Sequence, residues 1–296
     1  MTGTHILGDW GTTRLRLFRM VEGVSVDRLE GPGIGSLPAR PAVVLGERLT
    51  QWRGSGLIDG VTLCGMAGAR GGLVEAAYVE CPVGLDDWLG HQTRTLVDEI
   101  PVAVLPGLRC QNARQVPDVL RGEETQIFGA LALDPALAKG SRTIVLPGTH
   151  SKWAQVEDGV VQGFRTCPTG ELYALLSDRS TLVGKSVSGR GDEAQGFARG
   201  LLRSDEPLTS ALFEARAGQL LEGRSRRWAL GYLSGLLIGA EVAAQAQAGA
   251  EVVLIGDPTL CDRYALALAA KKCAVRTMDG DATVLAGLEL ARGRMA

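Results

Sequence analysis

The stretch His5-Ile6-Leu7-Gly8-Asp9-Trp10-Gly11-Thr12-Thr13 is followed at once by the alternating run Arg14-Leu15-Arg16-Leu17-Phe18-Arg19. This pattern predicts a short apolar strand, a tight turn and a second strand. Gly11 allows the backbone to approach an anion, the hydroxyls and amides of Thr12 and Thr13 can donate hydrogen bonds to it, and Asp9 can bind hydrated Mg²⁺. The turn is therefore a candidate phosphate site. The alternative is an ordinary hairpin turn that uses Asp and Gly for their conformational tolerance.

Composition limits the possible classes of protein. The chain has 296 residues, of which 45% are hydrophobic and 22% charged, with a formal net charge of −2. These values are typical of a globular protein with two lobes or one large α/β domain, and they argue against nucleic acid as a partner. No apolar run is long enough to span a membrane, and the N-terminus does not resemble a signal peptide. We therefore expect a cytoplasmic protein with reduced cysteines that is a monomer or a homodimer.

Outward from the opening stretch, the periodicity predicts strands at 4–8, 14–20 and 24–30, a helix at 38–52 and a strand at 61–64. A helix is expected from Gly84 to Asp98 and another from Gly122 to Leu133. The same order restarts at Thr143: strand, Gly- and hydroxyl-rich turn, strand, Gly turn, strand, helix. Residues 178–227 suit a helical insertion, and a buried helix is expected at 228–248. The sequence thus predicts a duplicated α/β topology.

A duplicated βββαβαβα topology resembles the actin-like ATPase (ribonuclease H-like) fold, with two lobes and a cleft between them. The resemblance places the lobes at residues 1–138 and 139–296, with the last helix able to pack back on the first lobe. Besides the opening turn, two stretches support it: Leu146-Pro147-Gly148-Thr149-His150-Ser151-Lys152-Trp153 is similar to a second phosphate motif, and Ile255-Gly256-Asp257-Pro258 is similar to an adenosine motif. It implies ATP and Mg²⁺ as cofactors, with Gly148, Thr149, Lys152 and Gly256 as further nucleotide contacts.

Several blocks resemble the 2-dehydro-3-deoxygalactonokinase family more narrowly. They include the stretch at 9–13, Arg121-Gly122-Glu123-Glu124-Thr125-Gln126, the stretch at 147–153, Thr169-Gly170-Glu171-Leu172 and the stretch at 233–241. The family's implied reaction is transfer of the ATP γ-phosphate to the 6-hydroxyl of 2-dehydro-3-deoxygalactonate. Alternatives are a kinase of the same fold for another sugar acid or amino sugar, and a non-kinase nucleotide-dependent binding protein related to actin and chaperones.

By analogy with hexokinase-like enzymes, the acid that accepts the hydroxyl proton is expected at Glu124, with Glu123 next. The alternative is that both acids merely stabilise the start of a helix. A sugar-acid carboxylate calls for basic donors. The candidate substrate contacts are Arg14, Arg70, Arg121, Arg165, Thr169 and Glu171. Arg16 and Arg19 alternate with apolar residues and are expected to be solvated.

Overall fold

The computed structural model describes residues 4–52, 54, 56–112, 114–184 and 188–293. Its contacts divide the chain into two compact units. The first comprises Met1–Ser141, Ala154–Phe164 and Gly280–Ala296, and the second comprises Arg142–Trp153 and Arg165–Asp279. The C-terminal helix therefore belongs to the same unit as the N-terminus. Within the described part of the chain, no helix combines the length and apolar character needed to cross a membrane.

The first unit begins with the predicted order β-β-β-α-β. Its elements are β1 Thr4–Trp10, β2 Arg14–Val21, β3 Val24–Pro32, α1 Pro41–Thr50, β4 Ile58–Gly65, β5 Tyr78–Glu80, α2 Leu85–Gly90, β6 Thr93–Val97, β7 Ile100–Val104, β8 Gly107–Gln111, β9 Pro117–Leu120 and α3 Glu123–Leu133. A six-stranded sheet has the order β3-β2-β1-β4-β7-β6, and a three-stranded sheet has the order β5-β8-β9.

The remaining elements start with the same β-β-β-α order and continue with further helices and two more strands. They are β10 Ser141–Leu146, β11 Ser151–Glu157, β12 Val160–Cys167, α4 Thr169–Arg179, α5 Glu193–Leu202, α6 Leu208–Ala211, α7 Glu214–Leu221, α8 Arg226–Gln245, β13 Glu251–Gly256, α9 Pro258–Ala270, β14 Ala274–Asp279 and α10 Gly280–Arg292. A five-stranded sheet has the order β12-β11-β10-β13-β14. The β-β-β-α order thus occurs twice, as the sequence predicts, and β10, β13 and β14 pair in parallel.

Parallel pairing brings the carboxyl ends of β1 and β4 to one edge of the first sheet. Asp9 lies opposite Cys64 and Trp10 lies opposite Gly65 in this register. The strands bury Ile6, Trp10 and Leu63 completely in the core beneath that edge. Because ligands of α/β sheets bind beyond the carboxyl ends of their strands, this edge is the place to look for a site.

The structure of residues 84–120 differs from the sequence prediction in two places. The helix ends at Gly90 instead of Asp98, and Thr93–Val97 forms an edge strand antiparallel to β7. Glycine is a poor helix former, and the Thr and Val residues that follow favour a strand. The short strands β8 and β9 were not predicted, since Pro106 and the polar residues 111–115 dominate the local pattern. Leu108, Cys110 and Leu120 are nevertheless buried in that hairpin.

Helix α8 is buried, as predicted, and packs closely on α5. Glycines on both helices make this contact: a Cβ at Gly231 would lie 2.0 Å from the carbonyl oxygen of Glu193, and one at Gly200 would lie 2.2 Å from that of Tyr232. Only glycine permits two helix backbones to approach this closely. The contact places Ser234 and Glu241 of α8 within the interior of the second unit, where both are buried.

Candidate active site

The opening turn of the first unit is a tight connection between β1 and β2. The N–H of Gly11 donates to the carbonyl of Arg14 at 2.9 Å, and the carbonyl of Thr12 accepts from the N–H of Gly35 at 2.9 Å. Thr12, Thr13 and Arg14 are exposed around this turn. Their hydroxyl and guanidinium groups are therefore accessible to a ligand at the edge of the sheet.

Asp9 forms an ion pair inside the first unit. Arg16, opposite Asp9 in the β1–β2 register, donates through Nη2 to Asp9 and through Nη1 to Asp281 of α10. The Arg16 side chain is only 12% exposed. The expectation that Arg16 is solvated is therefore wrong, because two carboxylates neutralise it where it leaves the strand.

The surroundings of Asp9 suit a metal held mainly by water and substrate. Among the described residues, no group of three or more His, Cys, Asp and Glu side chains is arranged to hold a metal ion. Mg²⁺ commonly binds one or two carboxylates and completes its shell with water and phosphate oxygens. The Asp9 carboxylate, whose side chain is 22% exposed, fits that limited role.

Glu124 lies at the start of α3 and is completely buried. The N–H of Gly122 donates to its Oε2 at 2.7 Å and to its Oε1 at 2.9 Å, and the Thr125 hydroxyl donates to Oε1 at 3.2 Å. Burial, reinforced by the charge of Glu123, raises the pKa of Glu124 to about 8. A carboxyl group with a pKa near neutrality can exchange protons with a substrate under physiological conditions.

The backbone before Glu124 approaches β4 closely. Gly122 has φ +109°, and a Cβ there would lie 3.3 Å from the Cα of Gly65. Glycine adopts this conformation without strain, so it allows α3 to begin against the end of β4. Cys64, the residue before Gly65, is buried, and its sulfur donates to Oδ1 of Asp9 at 3.8 Å. Asp9 and Glu124 both raise the pKa of the Cys64 thiol, after burial itself.

Glu123 has a different environment from Glu124. Its Oε2 accepts the N–H of Arg121 at 3.0 Å, and its side chain is only partly buried. The Arg121 N–H precedes the N-cap residue Gly122, and the Glu123 charge lies in the first turn of α3, where it suits the positive end of the helix dipole. The structure therefore separates the two acids: Glu123 is partly solvated, and Glu124 is buried.

The four candidate arginines are not equivalent. Arg14 and Arg70 are exposed, and Arg165 of the second unit is partly buried. The Arg121 guanidinium stacks on the Tyr78 ring at 4.1 Å and donates to the carbonyl of Ala76 at 2.8 Å. Its Nε and Nη1 are buried without a hydrogen-bond partner among the described residues. These two groups make Arg121 the candidate with donors available for an anion.

The second turn, between β10 and β11, packs against the start of α4. A Cβ at Gly170 would lie 2.4 Å from the carbonyl oxygen of Gly148, and the N–H of Glu171 donates to the carbonyl of Thr149 at 3.0 Å. The position of a Cβ at Gly148 has no heavy atom within 4 Å. Glu171 contacts His150, with 2.7 Å between Oε2 and Nε2. The start of α4 thus packs against one side of the turn, and the Cα of Gly148 faces open space on the other side.

A pocket of about 290 Å³ opens beside this turn within the second unit. Its polar lining comprises Thr149, Thr169, Tyr173, Ser234, Arg263 and Tyr264. Leu237, Ile238 and Leu260 provide an apolar wall. Its volume is close to the lower end of the range for small-molecule sites, about 300–1,000 Å³. A mixed lining of this kind suits the base and ribose of a nucleotide.

Two other predicted contacts also lie in the second unit. Lys152, which is 5% exposed, donates from Nζ to the Thr166 hydroxyl at 3.0 Å. Gly256 has φ +154° at the end of β13, and Asp257 caps α9 by accepting the N–H of Leu260 at 3.1 Å. Sequence reasoning did not identify Tyr173, Ser234, Arg263 and Tyr264 as pocket residues. Ser234 lies inside the 233–241 block, which was the available signal.

Comparison with known proteins identifies the family. A family model described as 2-keto-3-deoxy-galactonokinase matches residues 9–291. The chain belongs to this family. A relative from Rhizobium meliloti (strain 1021), named a probable 2-dehydro-3-deoxygalactonokinase, is 37% identical over 98% of this chain and 96% of its own. The Escherichia coli (strain K12) 2-dehydro-3-deoxygalactonokinase is 36% identical over 97% of each chain. The predicted family membership and kinase class are confirmed.

Solved structures agree on the fold. A crystal structure of a Sinorhizobium meliloti protein, provisionally assigned as a 2-dehydro-3-deoxygalactonokinase, matches with a TM-score of 0.89 and 34% identity, covering 98% of this chain and 96% of that one. Component A of the Acidaminococcus fermentans (R)-2-hydroxyglutaryl-CoA dehydratase matches over both whole chains with a TM-score of 0.53 and 14% identity. The second likeness concerns the fold alone. The predicted fold class, an actin-like kinase fold, is confirmed.

Proposed function

We propose that this member of the 2-keto-3-deoxy-galactonokinase family transfers the γ-phosphoryl group of ATP to the 6-hydroxyl of 2-dehydro-3-deoxygalactonate. The observation that carries the proposal is the match of residues 9–291 to the family model, together with two curated relatives that share almost the whole length of the chain. The molecules it binds are then ATP and a small sugar acid. All six cysteines lie in the described part of the chain and none forms a disulfide there, which suits the cytoplasm as the compartment.

Glu124 is the proposed catalytic base. As the 6-hydroxyl oxygen bonds to the γ-phosphorus and the bond from that phosphorus to the ADP oxygen breaks, the hydroxyl proton passes to a Glu124 oxygen. The complete burial of Glu124 and its pKa of about 8 support this role, since a strongly acidic carboxylate would accept the proton less readily. Glu123 is the second candidate, although it is partly solvated and already accepts the Arg121 N–H.

We assign the nucleotide contacts within each unit. In the first unit, Gly11, Thr12 and Thr13 contact the β- and γ-phosphates, and Asp9 holds Mg²⁺ through water. In the second unit, Gly148, Thr149 and Lys152 contact phosphate oxygens, and Gly256 and the 290 Å³ pocket hold the nucleoside. Bound Mg²⁺ neutralises charge on the transferring phosphoryl group. The open space at Gly148 supports this assignment, because a phosphate oxygen can approach the bare Cα.

The substrate carboxylate requires cationic or amide donors. Arg121 is the strongest candidate, because its Nε and Nη1 are buried without protein partners among the described residues and it directly precedes the segment that carries Glu124. Arg14, Arg70 and Arg165 are the other proposed contacts of the sugar acid, with Thr169 and Glu171 for its hydroxyls. Thr169 lines the second-unit pocket and Glu171 contacts His150, so both are also placed to act near the nucleotide.

A coupled assay of ADP release over a panel of sugar acids and amino sugars tests the function. We expect turnover that requires both ATP and a sugar acid, with the highest kcat/KM for 2-dehydro-3-deoxygalactonate among its C4 epimer and related acids. A preference for another sugar would move the substrate assignment within the same fold. ATP binding without sugar-dependent ADP release would instead favour a nucleotide-dependent binding protein.

A further inference from the structure

Three side chains donate hydrogen bonds to the buried carboxylate of Glu241. The Ser151 hydroxyl and the Trp153 indole N–H each lie 2.6 Å from its Oε1, and the Tyr264 hydroxyl lies 2.7 Å from its Oε2. Glu241 itself is 6% exposed. All four residues belong to the second unit. A buried carboxylate is costly unless its oxygens are hydrogen-bonded, and here both of them are.

The donors come from the elements that form the nucleotide pocket. Ser151 is the first residue of β11 and lies two residues after Thr149, which lines the pocket. Tyr264 comes from α9 and lines the same pocket. Glu241 lies behind the lining on α8. The Glu241 side chain therefore connects the strand that follows the Gly148–Thr149 turn to Tyr264 on α9.

The pKa of Tyr264 shows which of the two groups donates the hydrogen bond. Burial, and next the neighbouring Glu241, raise the pKa of the Tyr264 phenol well above its usual range. The phenol thus keeps its proton and donates a hydrogen bond to the carboxylate. Apolar residues of similar volume would often stabilise a buried site equally well. A carboxylate instead fixes the directions of its three donors, which an apolar side chain does not do.

We propose that Glu241 is a positioning residue of the nucleotide site, which holds the Gly148–Thr149 turn and the Tyr264 wall at the spacing that binds ATP. This inference rests on the proposed function only in naming the nucleotide, since the network itself lies wholly within the second unit. Removing one acceptor oxygen should loosen the pocket and weaken nucleotide binding, while the sugar site is left intact.

The test compares Glu241→Gln with a matched control, Glu214→Gln. Glu214 also accepts a tyrosine hydroxyl, that of Tyr232 at 3.3 Å, and pairs with Arg199 at 2.6 Å, but it lies on α7 away from the pocket lining. In Glu241→Gln, three donors meet one acceptor oxygen and an amide. We expect its Kd for ADP, measured by calorimetry, and its KM for ATP to rise about tenfold, as fits the loss of a hydrogen bond to a charged group. The KM for the sugar acid should not change.

Glu214→Gln should lower the melting temperature without changing either nucleotide constant. A Glu241→Gln protein with wild-type ADP affinity would overturn the proposal and leave Glu241 with a structural role. If Glu241→Gln does not fold, Ser151→Ala decides, because Ser151 donates to Glu241 at 2.6 Å without lining the pocket: weaker ADP binding supports the proposal, and unchanged binding overturns it. Because ADP binding is measured without sugar, a wild-type protein that fails to phosphorylate any sugar acid would contradict the proposed function and leave this test intact.

Discussion

The backbone N–H of Gly122 donates to both carboxylate oxygens of Glu124, at 2.7 and 2.9 Å. This arrangement holds the carboxylate in one orientation at the start of α3, against the end of β4. It also lowers the pKa of Glu124, but burial outweighs it and leaves the pKa at about 8. The Gly122 backbone thus orients the proposed base, and burial sets its pKa.

The first prediction concerns the pH dependence of catalysis. A base must be ionised to accept a proton, so kcat/KM for the sugar acid should rise with pH and level off above about 8, the pKa of Glu124 in the free enzyme. Initial rates between about pH 5 and 9 measure this. Glu123→Gln should keep the sigmoidal profile but move its inflection to lower pH, because the charge of Glu123 helps to raise the pKa of Glu124. A profile that is already flat above about pH 5 would contradict the assignment of Glu124 as base.

The same group predicts a pH dependence of stability. The folded pKa of about 8 exceeds the ordinary value of 4.5, so between these values the folded protein keeps a proton that the unfolded chain releases. The free energy of unfolding therefore falls as pH rises through this window. Urea denaturation across the window should show that the decline is smaller in Glu124→Gln. Parallel curves for the two proteins would show that Glu124 titrates normally.

Replacing the base should remove chemistry but not binding. We expect Glu124→Gln, which keeps the shape of the side chain, to lower kcat by about 10²–10⁴, the usual contribution of a general base. Its affinity for ADP should not change. Glu123→Gln is the matched control, since Glu123 is adjacent, accepts the Arg121 N–H and is only partly buried, and the kcat of this variant should fall far less. Near-normal turnover of Glu124→Gln would remove Glu124 from the mechanism.

The two ion pairs of Arg16 should contribute unequally to the free energy of unfolding. Arg16→Met leaves Asp9 without its cation and should lower the free energy of unfolding by about 1–3 kcal/mol, since Asp9 is partly buried. Asp281→Asn removes the other pair, whose carboxylate is 44% exposed, and should cost less than about 1 kcal/mol. Urea denaturation measures both. Equal costs would mean that the Asp9 pair is not the main stabilising contact of Arg16.

Gly148 of the second turn and Gly170 at the start of α4 should respond differently to replacement by alanine. A Cβ at Gly170 would collide with the Gly148 carbonyl, so Gly170→Ala should lower stability by about 1–3 kcal/mol. A Cβ at Gly148 meets no heavy atom within 4 Å, so Gly148→Ala should keep the wild-type melting temperature. Its ADP affinity should nevertheless fall, because the methyl group occupies the space assigned to phosphate. Unchanged ADP affinity would remove Gly148 from the proposed contacts.

Local patterns account for what could be predicted. The two hairpins that begin at Thr4 and at residue 141, and the glycine turns that end β1 and β10, depend on residues close together in sequence. The strands β8 and β9 were missed because β8 pairs with β5, about 30 positions earlier, through the register Tyr78↔Gly107. Such pairing leaves little trace in the local periodicity. The predicted helix at 84–98 was too long for a related reason, since residues 93–97 form β6 by pairing with β7.

The sequence by itself determined the β-β-β-α order at Thr4 and at residue 141, the two Gly/Thr turns and the presence of two acids at the start of α3, because these depend on local periodicity and turn chemistry. Only the tertiary structure distinguished Glu124 from Glu123, paired Arg16 with both Asp9 and Asp281, and placed Glu241 behind the pocket that we propose for the nucleotide. The physical reason is that burial and charge neutralisation depend on contacts between distant residues: Arg16 and Asp281 are 265 positions apart. The motif specifies which groups are present, and the fold sets their protonation and their partners.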